Sequence, residues 1–386
     1  MKIFIVDPGK FSYPYDYSLS NSLSDTGNDV KLIGSKFKYG QEIPGAKYDE
    51  VLFFYKLTSF FSSFKWFNSS FQVVVKGLEH IVCQFFLFFY ILFYKPDVIH
   101  VQWVVLKYFD SVIYRILIKL GFNIVYTAHN LIPHDTTKVG SWSFVYSTFN
   151  KIVVHTHAVK NRLLELDLVD EESVISVIPH GDLSYVNSYK PISEDWFEQF
   201  QSKNRGKVVF LLFGIIKPYK GLDLLINVAQ HFPNCIFLVV GKVGDGNYFE
   251  KVLDKINEQD VHSSFYFHTQ FVKDEFLPVL AEGCDAALMP YKDICQSGVF
   301  YLMAELKLPI ISSDVGLFPQ MLSDNRGLVF SLNQKDSLMS VISKFLSLSE
   351  IVRMELVTNN IEYIRQNYSW SIVSKKTTEL YKADYV

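Results

Sequence analysis

Short runs of β-branched and other apolar residues recur along this chain, each followed by a polar turn and then a longer stretch of helical period. That alternation predicts βα units on parallel sheets. A strand covered on both faces needs a continuous apolar run, whereas the helix that covers it needs only one apolar stripe. In the first half the pattern predicts strands at Lys2–Val6, Asp29–Ile33, Val98–Gln102, Asn123–Thr127, Lys151–His155 and Ser173–Ile178, with helices such as Tyr17–Thr26 and Val105–Leu120 between them. It dissolves over the polar stretch Asp182–Lys207, which holds Pro191 and the group Lys203-Asn204-Arg205-Gly206. It then restarts with strands at Val208–Phe213, Cys235–Val240, Phe265–His268, Ala286–Pro290, Pro309–Ser313 and Gly327–Val329. The helices expected among these are Gly221–His231, Tyr248–Gln259, Glu275–Glu282, Gly298–Leu306 and Ser337–Leu348. The reading is α/β, with one doubly wound domain over residues 1–185, a linker over 186–206 and a second domain over 207–367.

A length of 386 residues suits two such domains. The formal charge of −3 supplies no field for an extended nucleic-acid track. The four cysteines, Cys83, Cys235, Cys284 and Cys295, lie far apart without a C-x-x-C pair, so reduced thiols are expected. The chain opens MKIFIVDPG, a strand directly after Met1, so no secretory signal and a cytoplasmic location are expected. Aromatic residues concentrate between Val51 and Tyr94, including Phe53, Phe54, Phe60, Phe61, Phe64, Trp66 and Phe67. The run Ile81–Tyr94 falls short of the roughly 20 residues that cross a bilayer. It predicts a buried helix, one side of which could rest on the inner membrane face with help from Lys56, Lys65 and Lys76.

In doubly wound sheets ligands bind beyond the carboxyl ends of the strands, so the loops there are the places to look for chemistry. The strand Val208–Phe213 delivers Gly214-Ile215-Ile216-Lys217-Pro218-Tyr219-Lys220-Gly221, where Lys217, Lys220 and backbone N–H groups could hold a diphosphate. A second cradle follows Ala286–Pro290, in which Ser297 and Gly298 open a helix whose amides suit a phosphate. In the first half His129 and Asn130 follow a core strand, His155 and His157 end the next, and His180 ends the last. His129 is expected on a sugar hydroxyl. Gly9 and Tyr17, beyond the first strand, are further candidates for sugar or acceptor contacts. His129, His134 and Asp135 lack the spacing of a metal site, and Asp7-Pro8-Gly9-Lys10 is not a dinucleotide fingerprint, so neither a metal nor a nicotinamide cofactor is expected.

At these residues the chain resembles the retaining GT-B glycosyltransferases usually called family 4. The resemblance is carried by Phe213-Gly214-x-x-Lys217-x-Tyr219-Lys220-Gly221, Gln296-Ser297-Gly298-Val299, Thr127-Ala128-His129-Asn130 and Ile178-Pro179-His180-Gly181. It implies two Rossmann-like domains facing across a cleft, with a final helix in about 368–386 crossing back to complete the first. It further implies metal-independent transfer, with retention, of a hexosyl or N-acetylhexosaminyl unit from a UDP- or GDP-sugar to a saccharide or lipid-linked saccharide in surface polysaccharide synthesis. His129, Lys217 and Lys220 would act in catalysis, and Gly214, Gln296, Ser297, Gly298 and Val299 would hold the donor. Where many members carry two glutamates eight positions apart, this chain has Cys295 and Met303, and Glu305, nearby on the helix, could take the donor's ribose in their place if the register shifts. A sugar-nucleotide epimerase and an inactive nucleotide-sugar-binding subunit are the competing readings.

Overall fold

The computed structural model describes residues 1–37, 40–61, 69–129, 139–294 and 297–383. Phe64, Lys65, Trp66, Phe67, Asn130, His134, Asp135, Cys295 and Gln296 lie outside the described residues. The chain divides into two compact units, Met1–Gly181 with Tyr368–Val386, and Asp182–Asn367.

The first unit is built on β1 (Lys2–Asp7), β2 (Asp29–Gly34), β3 (Asp49–Leu52), β4 (Val98–Val101), β5 (Ile124–Thr127), β6 (Ile152–Val154) and β7 (Ile175–Val177). They form one parallel sheet in the order β3-β2-β1-β4-β5-β6-β7. Its central strands are apolar on both faces, as a sheet covered by helices on either side requires. The sequence pattern missed β3. An edge strand that reads Asp-Glu-Val-Leu offers no apolar run, and its acids are spent on Lys31 at 2.8 Å and Lys10 at 2.9 Å. Helix α1 (Tyr13–Asp25) follows β1, and the C-terminal helix Trp370–Lys382 packs beside it, with Ser22 Oγ hydrogen-bonded to Trp370 O at 2.9 Å and Ser374 Oγ at 2.8 Å. The far end of that helix is fixed by His100, fully buried in β4, whose ring joins the Tyr381 hydroxyl and Thr127 Oγ1, each at 2.6 Å.

Also on this unit are α2 (Lys56–Phe61), α3 (Ser69–Tyr94) and α4 (Lys107–Lys119). The expectation of a segment too short to cross a bilayer is corrected here. The apolar window Gln72–Tyr94 runs for 23 residues and meets the length and hydropathy of a membrane span. One face of α3, however, carries Cys83, Leu87 and Ile91 into the core under the sheet, so the helix is part of the unit's interior wall.

The second unit holds β8 (Val208–Phe213), β9 (Cys235–Val240), β10 (Phe265–His268), β11 (Ala286–Met289), β12 (Ile310–Ser313) and β13 (Leu328–Phe330). They form a parallel sheet ordered β10-β9-β8-β11-β12-β13. The stretch expected as a linker is structured and belongs to this unit. Its helix Asp195–Lys203, where the sequence offers a short helical candidate around Ser193–Gln201, turns Phe197 and Phe200 inward onto Phe276 and Tyr266. The helix expected at Gly221–His231 is also broken up. Two 3₁₀ turns, Pro218–Lys220 and Leu222–Leu225, precede a short helix Ile226–Ala229, because Gly221 between the turns is left-handed at φ 69°.

Candidate functional site

Strand order locates the crevice in each sheet. In the second unit the chain winds outward from β8 in one direction through β9 and β10, and in the other through β11 to β13. Loops leaving the carboxyl ends of β8 and β11 therefore diverge and leave room for a ligand between them. Those loops carry Lys217 and Lys220 on one side and Ser297 and Gly298 on the other.

The two loops are tied together. Lys292 N–H donates to Tyr219 O at 2.7 Å, and Lys292 Nζ pairs with Asp223 at 2.6 Å. Lys220 Nζ donates to the Phe213 carbonyl at 2.9 Å and to the Tyr291 hydroxyl at 3.0 Å. The Ser297 side chain acts on the same hydroxyl, holding its pKa down. Lys220 and Ser297 thus converge on one phenol. Burial lowers the Lys220 ammonium to about 8 and pushes the Tyr291 phenol up to about 12. A cation held in so dry a place, without a carboxylate partner among the described residues, is one whose charge a bound anion would restore.

Lys217 is half-buried, its stem against Gly244, where an added Cβ would stand 3.0 Å from Lys217 Cγ. Its ammonium has no hydrogen-bond or ion-pair partner among the described residues. Ser297 sits at the N-cap of helix Gly298–Glu305 but makes no side-chain capping bond, being turned to Tyr291. The first-turn amides of that helix therefore lack the usual capping acceptor. Gly214, left-handed at φ 103°, lies under Lys220, and an added Cβ would stand 2.6 Å from Lys220 Nζ and 3.5 Å from Val299 Cγ2.

The first unit has its own divergence point, between β1 and β4. Beyond β1, the buried Asp7 accepts from the N–H groups of Gly9 and Ser12 and so shapes the turn. Beyond β4 come Gln102 and Trp103, and beyond β5 comes His129. The Trp103 indole stacks on His129 at 5.5 Å between ring centres and donates Nε1–H to Ser12 Oγ at 2.8 Å. Tyr15 of α1 forms a hub, its ring 4.8 Å from His129, 5.3 Å from both His155 and His180, and 5.2 Å from Trp370.

Proton positions in this cluster follow from two fixed acceptors. His155 Nδ1 lies 3.0 Å from the Ile178 carbonyl, which can only accept, so the proton of neutral His155 is on Nδ1. His129 Nε2 lies 2.9 Å from Gln102 Oε1, also an acceptor, so the proton of neutral His129 is on Nε2, with Ser12 Oγ 3.3 Å away. Neutrality is enforced by desolvation, which lowers His155 and His100 to about 3 and holds His129 well below its ordinary value, with His155 and His180 adding to the effect on His129.

These histidines make stability depend on pH. Unfolded, each titrates near 6.5, whereas folded His100 and His155 stay neutral down to about 3. Between those values the unfolded chain binds more protons, so stability falls as pH drops through 6.5 and is lost progressively toward 3. Each of the two should cost about 2 kcal/mol by pH 5. The urea midpoint is expected to fall clearly between pH 7.5 and 5, and a His155→Gln variant should show a shallower slope; equal slopes would refute this account.

The remaining expected site residues are placed as follows. His157 is exposed at the first turn of helix His157–Glu165, and His155, not His157, joins the cluster with His129 and His180. The Tyr17 hydroxyl is buried and donates to Pro44 O at 2.7 Å. Gly9 lies against Phe11, whose ring an added Cβ would meet at 2.4 Å. Met303 is buried in the core. Glu305 ends the helix that Ser297 opens, about 12 Å along it at 1.5 Å per residue, and hydrogen-bonds Asn187. Burial and then Asp182 push its carboxyl up. Among the described residues no group of three or more His, Cys, Asp and Glu is arranged to hold a metal.

Sequence reasoning missed the partners that orient these groups: Tyr291, Ser12, Tyr15, Gln102 and Trp103. Gln102-Trp103 directly follows a core strand, the same signal that marked His129. It also passed over the ends of β9 and β10, where Lys242 Nζ lies over the Phe271 ring at 5.5 Å and Trp196 stacks on His268 at 3.9 Å.

Comparison with known proteins bears on this geometry. The sequence model of the family described as "Glycosyl transferases group 1" matches residues 194–366, all within the second unit. The chain is 25% identical over 120 residues, 31% of its length, to a GDP-mannose:glycolipid 4-beta-D-mannosyltransferase of Xanthomonas campestris pv. campestris. It is 22% identical over 274 residues, 68% of its length, to the GPI3 subunit of phosphatidylinositol N-acetylglucosaminyltransferase of Saccharomyces cerevisiae. It spans 34% of the first relative's length and 58% of the second's. Among solved structures, Anabaena HepE in complex with UDP superposes with a TM-score of 0.67 at 15% identity, covering 98% of this chain and 99% of that one. The architecture, two Rossmann-like parallel sheets, is that of the GT-B fold class.

Proposed function

We propose that this chain is a glycosyltransferase that takes a hexosyl or N-acetylhexosaminyl unit from a UDP- or GDP-sugar and delivers it to a saccharide acceptor, lipid-linked in its natural form. The observation that carries the reading is the convergence of Lys220 and Ser297 on Tyr291 at the divergence point of the second sheet, beside the first turn of helix Gly298–Glu305, which no side chain caps. A diphosphate leaving group gathers negative charge as its bond to the sugar breaks. Lys217, Lys220 and main-chain amides are donors already in place for that charge, with no reorganisation at the moment of reaction. The named relatives point the same way: one uses GDP-mannose, and one solved neighbour holds UDP. Acceptor handling falls to the first unit, with His129 on a sugar hydroxyl.

In the step itself the bond from the anomeric carbon to the diphosphate oxygen breaks and a bond to the acceptor oxygen forms. With retention, attack comes from the leaving-group side and the acceptor proton passes to the departing phosphate. A second reading, inversion, is favoured by the beta linkage in the mannosyltransferase's name.

A panel of UDP- and GDP-sugars with and without EDTA tests the whole proposal. Turnover of one donor, surviving EDTA, is expected. Proton NMR of the product against the donor gives the stereochemistry: the donor's configuration supports retention, and the opposite supports inversion. No hydrolysis, transfer or thermal stabilisation with any donor would overturn the reading.

A further inference from the structure

Helices α3 and α4 present an apolar surface that nothing in the chain's described residues covers. On α3 the side chains of Val74, Leu78, Val82, Phe86, Phe89 and Phe93 are each more than half exposed. They recur every three or four residues, so they form one stripe about 28 Å long at 1.5 Å per residue. On α4 Tyr108, Val112, Ile116 and Leu120 repeat the arrangement at intervals of four, and Phe85 against Phe109, 5.6 Å between ring centres, joins the two helices. Scattered exposed apolar residues need no explanation, but two adjoining stripes on neighbouring helices do.

Charge is arranged to match. The sequence places one acid in each helix, Glu79 in α3 and Asp110 in α4, and both are turned inward. Glu79 accepts from the N–H groups of Leu57 and Thr58 and from the Thr58 hydroxyl, and so caps α2. Asp110 accepts from the N–H groups of Val105 and Leu106 and pairs with His80 at 2.9 Å. Lys95 and Lys119 at the C-terminal ends of α3 and α4, and Lys56 at the start of the neighbouring α2, are exposed, with no ion-pair partner among the described residues. The face is therefore apolar in the middle, cationic at its margin and free of exposed acids along both helices.

We propose that α3 and α4 together dock on the surface of an anionic lipid bilayer, both lying in the interface plane. Length alone would let α3 span. Spanning would pull His80, Gln84, Leu87 and Ile91 out of the core and break the His80–Asp110 and His80–Tyr55 hydrogen bonds, the latter 2.7 Å. In-plane docking buries the exposed stripe and keeps all of these. The inference stands independently of donor chemistry in the second unit.

Flotation with phosphatidylcholine vesicles, with and without phosphatidylglycerol, tests it on the full chain. Binding is expected to anionic vesicles, weakened but not abolished by 0.5 M salt because the apolar part is not screened. The double variant Phe86→Ser, Phe89→Ser should lower the partition coefficient about tenfold or more, and Lys56→Glu, Lys119→Glu should remove the preference for anionic lipid. Unchanged thermal unfolding of these surface variants excludes misfolding. A Phe89→Trp variant quenched by brominated lipid gives a direct reading that does not depend on loss of binding. The proposal fails if the chain does not float with anionic vesicles or if the double variant floats as well as the parent. It also fails if light scattering shows a dimer that the double variant dissolves while flotation is untouched, since a second copy would then be the occupant.

Discussion

Lys220→Met is expected to lower kcat/KM for transfer or donor hydrolysis by about 10²–10³, the usual effect of removing one preorganised donor from a developing anion. Folding stability should not fall with it. Methionine keeps most of the stem while removing an ammonium that burial already disfavours, as the lowering to about 8 indicates. The same property gives the site a pH signature. Above pH 8 the free protein holds Lys220 increasingly neutral, and a bound diphosphate raises its pKa again, so binding takes up a proton. Affinity for UDP or GDP should therefore decline as pH rises above about 8, by up to tenfold per unit, and the decline should vanish in Lys220→Met. Titration calorimetry from pH 7 to 9.5 in buffers of different ionisation enthalpy measures both. Nucleotide affinity that is unchanged by the substitution would remove Lys220 from the donor site and the proposed function with it.

What the sequence disclosed and what it hid divide along physical lines. Runs such as Val208–Phe213 and Cys235–Val240 were legible because a strand buried on both faces has no polar positions to blur it. β3 was not, since an edge strand can be half charged and still pair. The Gly-Lys and Ser-Gly loops could be picked out because their glycine, lysine and serine cluster at a strand end. Their meeting through Tyr291 was not, because a tyrosine inside an apolar-looking loop carries no signal until Lys220 and Ser297 are seen to share it. For the same reason His129 was found while the Gln102, Ser12 and Trp103 that orient it were not. Ser12 lies beyond β1, Gln102 and Trp103 beyond β4 and His129 beyond β5, brought together only by the order β1-β4-β5. Length misled in the case of α3: the apolar run was judged from Ile81 onward, whereas Val73, Val74, Val75 and Leu78 extend it toward its N-terminal end.

Gly221→Ala should do more damage than its single methyl suggests, and in a way that Lys220→Met does not. Gly221 adopts φ 69°, a region that costs an ordinary residue roughly 1–2 kcal/mol. Its added Cβ would also stand 1.9 Å from the Pro290 carbonyl oxygen and 3.0 Å from its carbon. Both are main-chain atoms at the end of β11, so no rotamer can relieve the contact, and the turn Pro218–Lys220 must back away from the neighbouring loop. That movement breaks the Lys292 N–H to Tyr219 O bond and carries Lys220 off Tyr291. The variant is therefore expected to lose both stability, by about 2–4 kcal/mol with the backbone strain and the displaced hydrogen bonds combined, and nucleotide affinity. Chemical denaturation and calorimetry on the same preparation check the pair of losses. Lys220→Met should lose affinity alone, because it removes the donor but leaves the loops together. Were Gly221→Ala to keep its stability and bind UDP or GDP as tightly as the parent, the close approach of the two loops would not be what presents Lys220 to the anion.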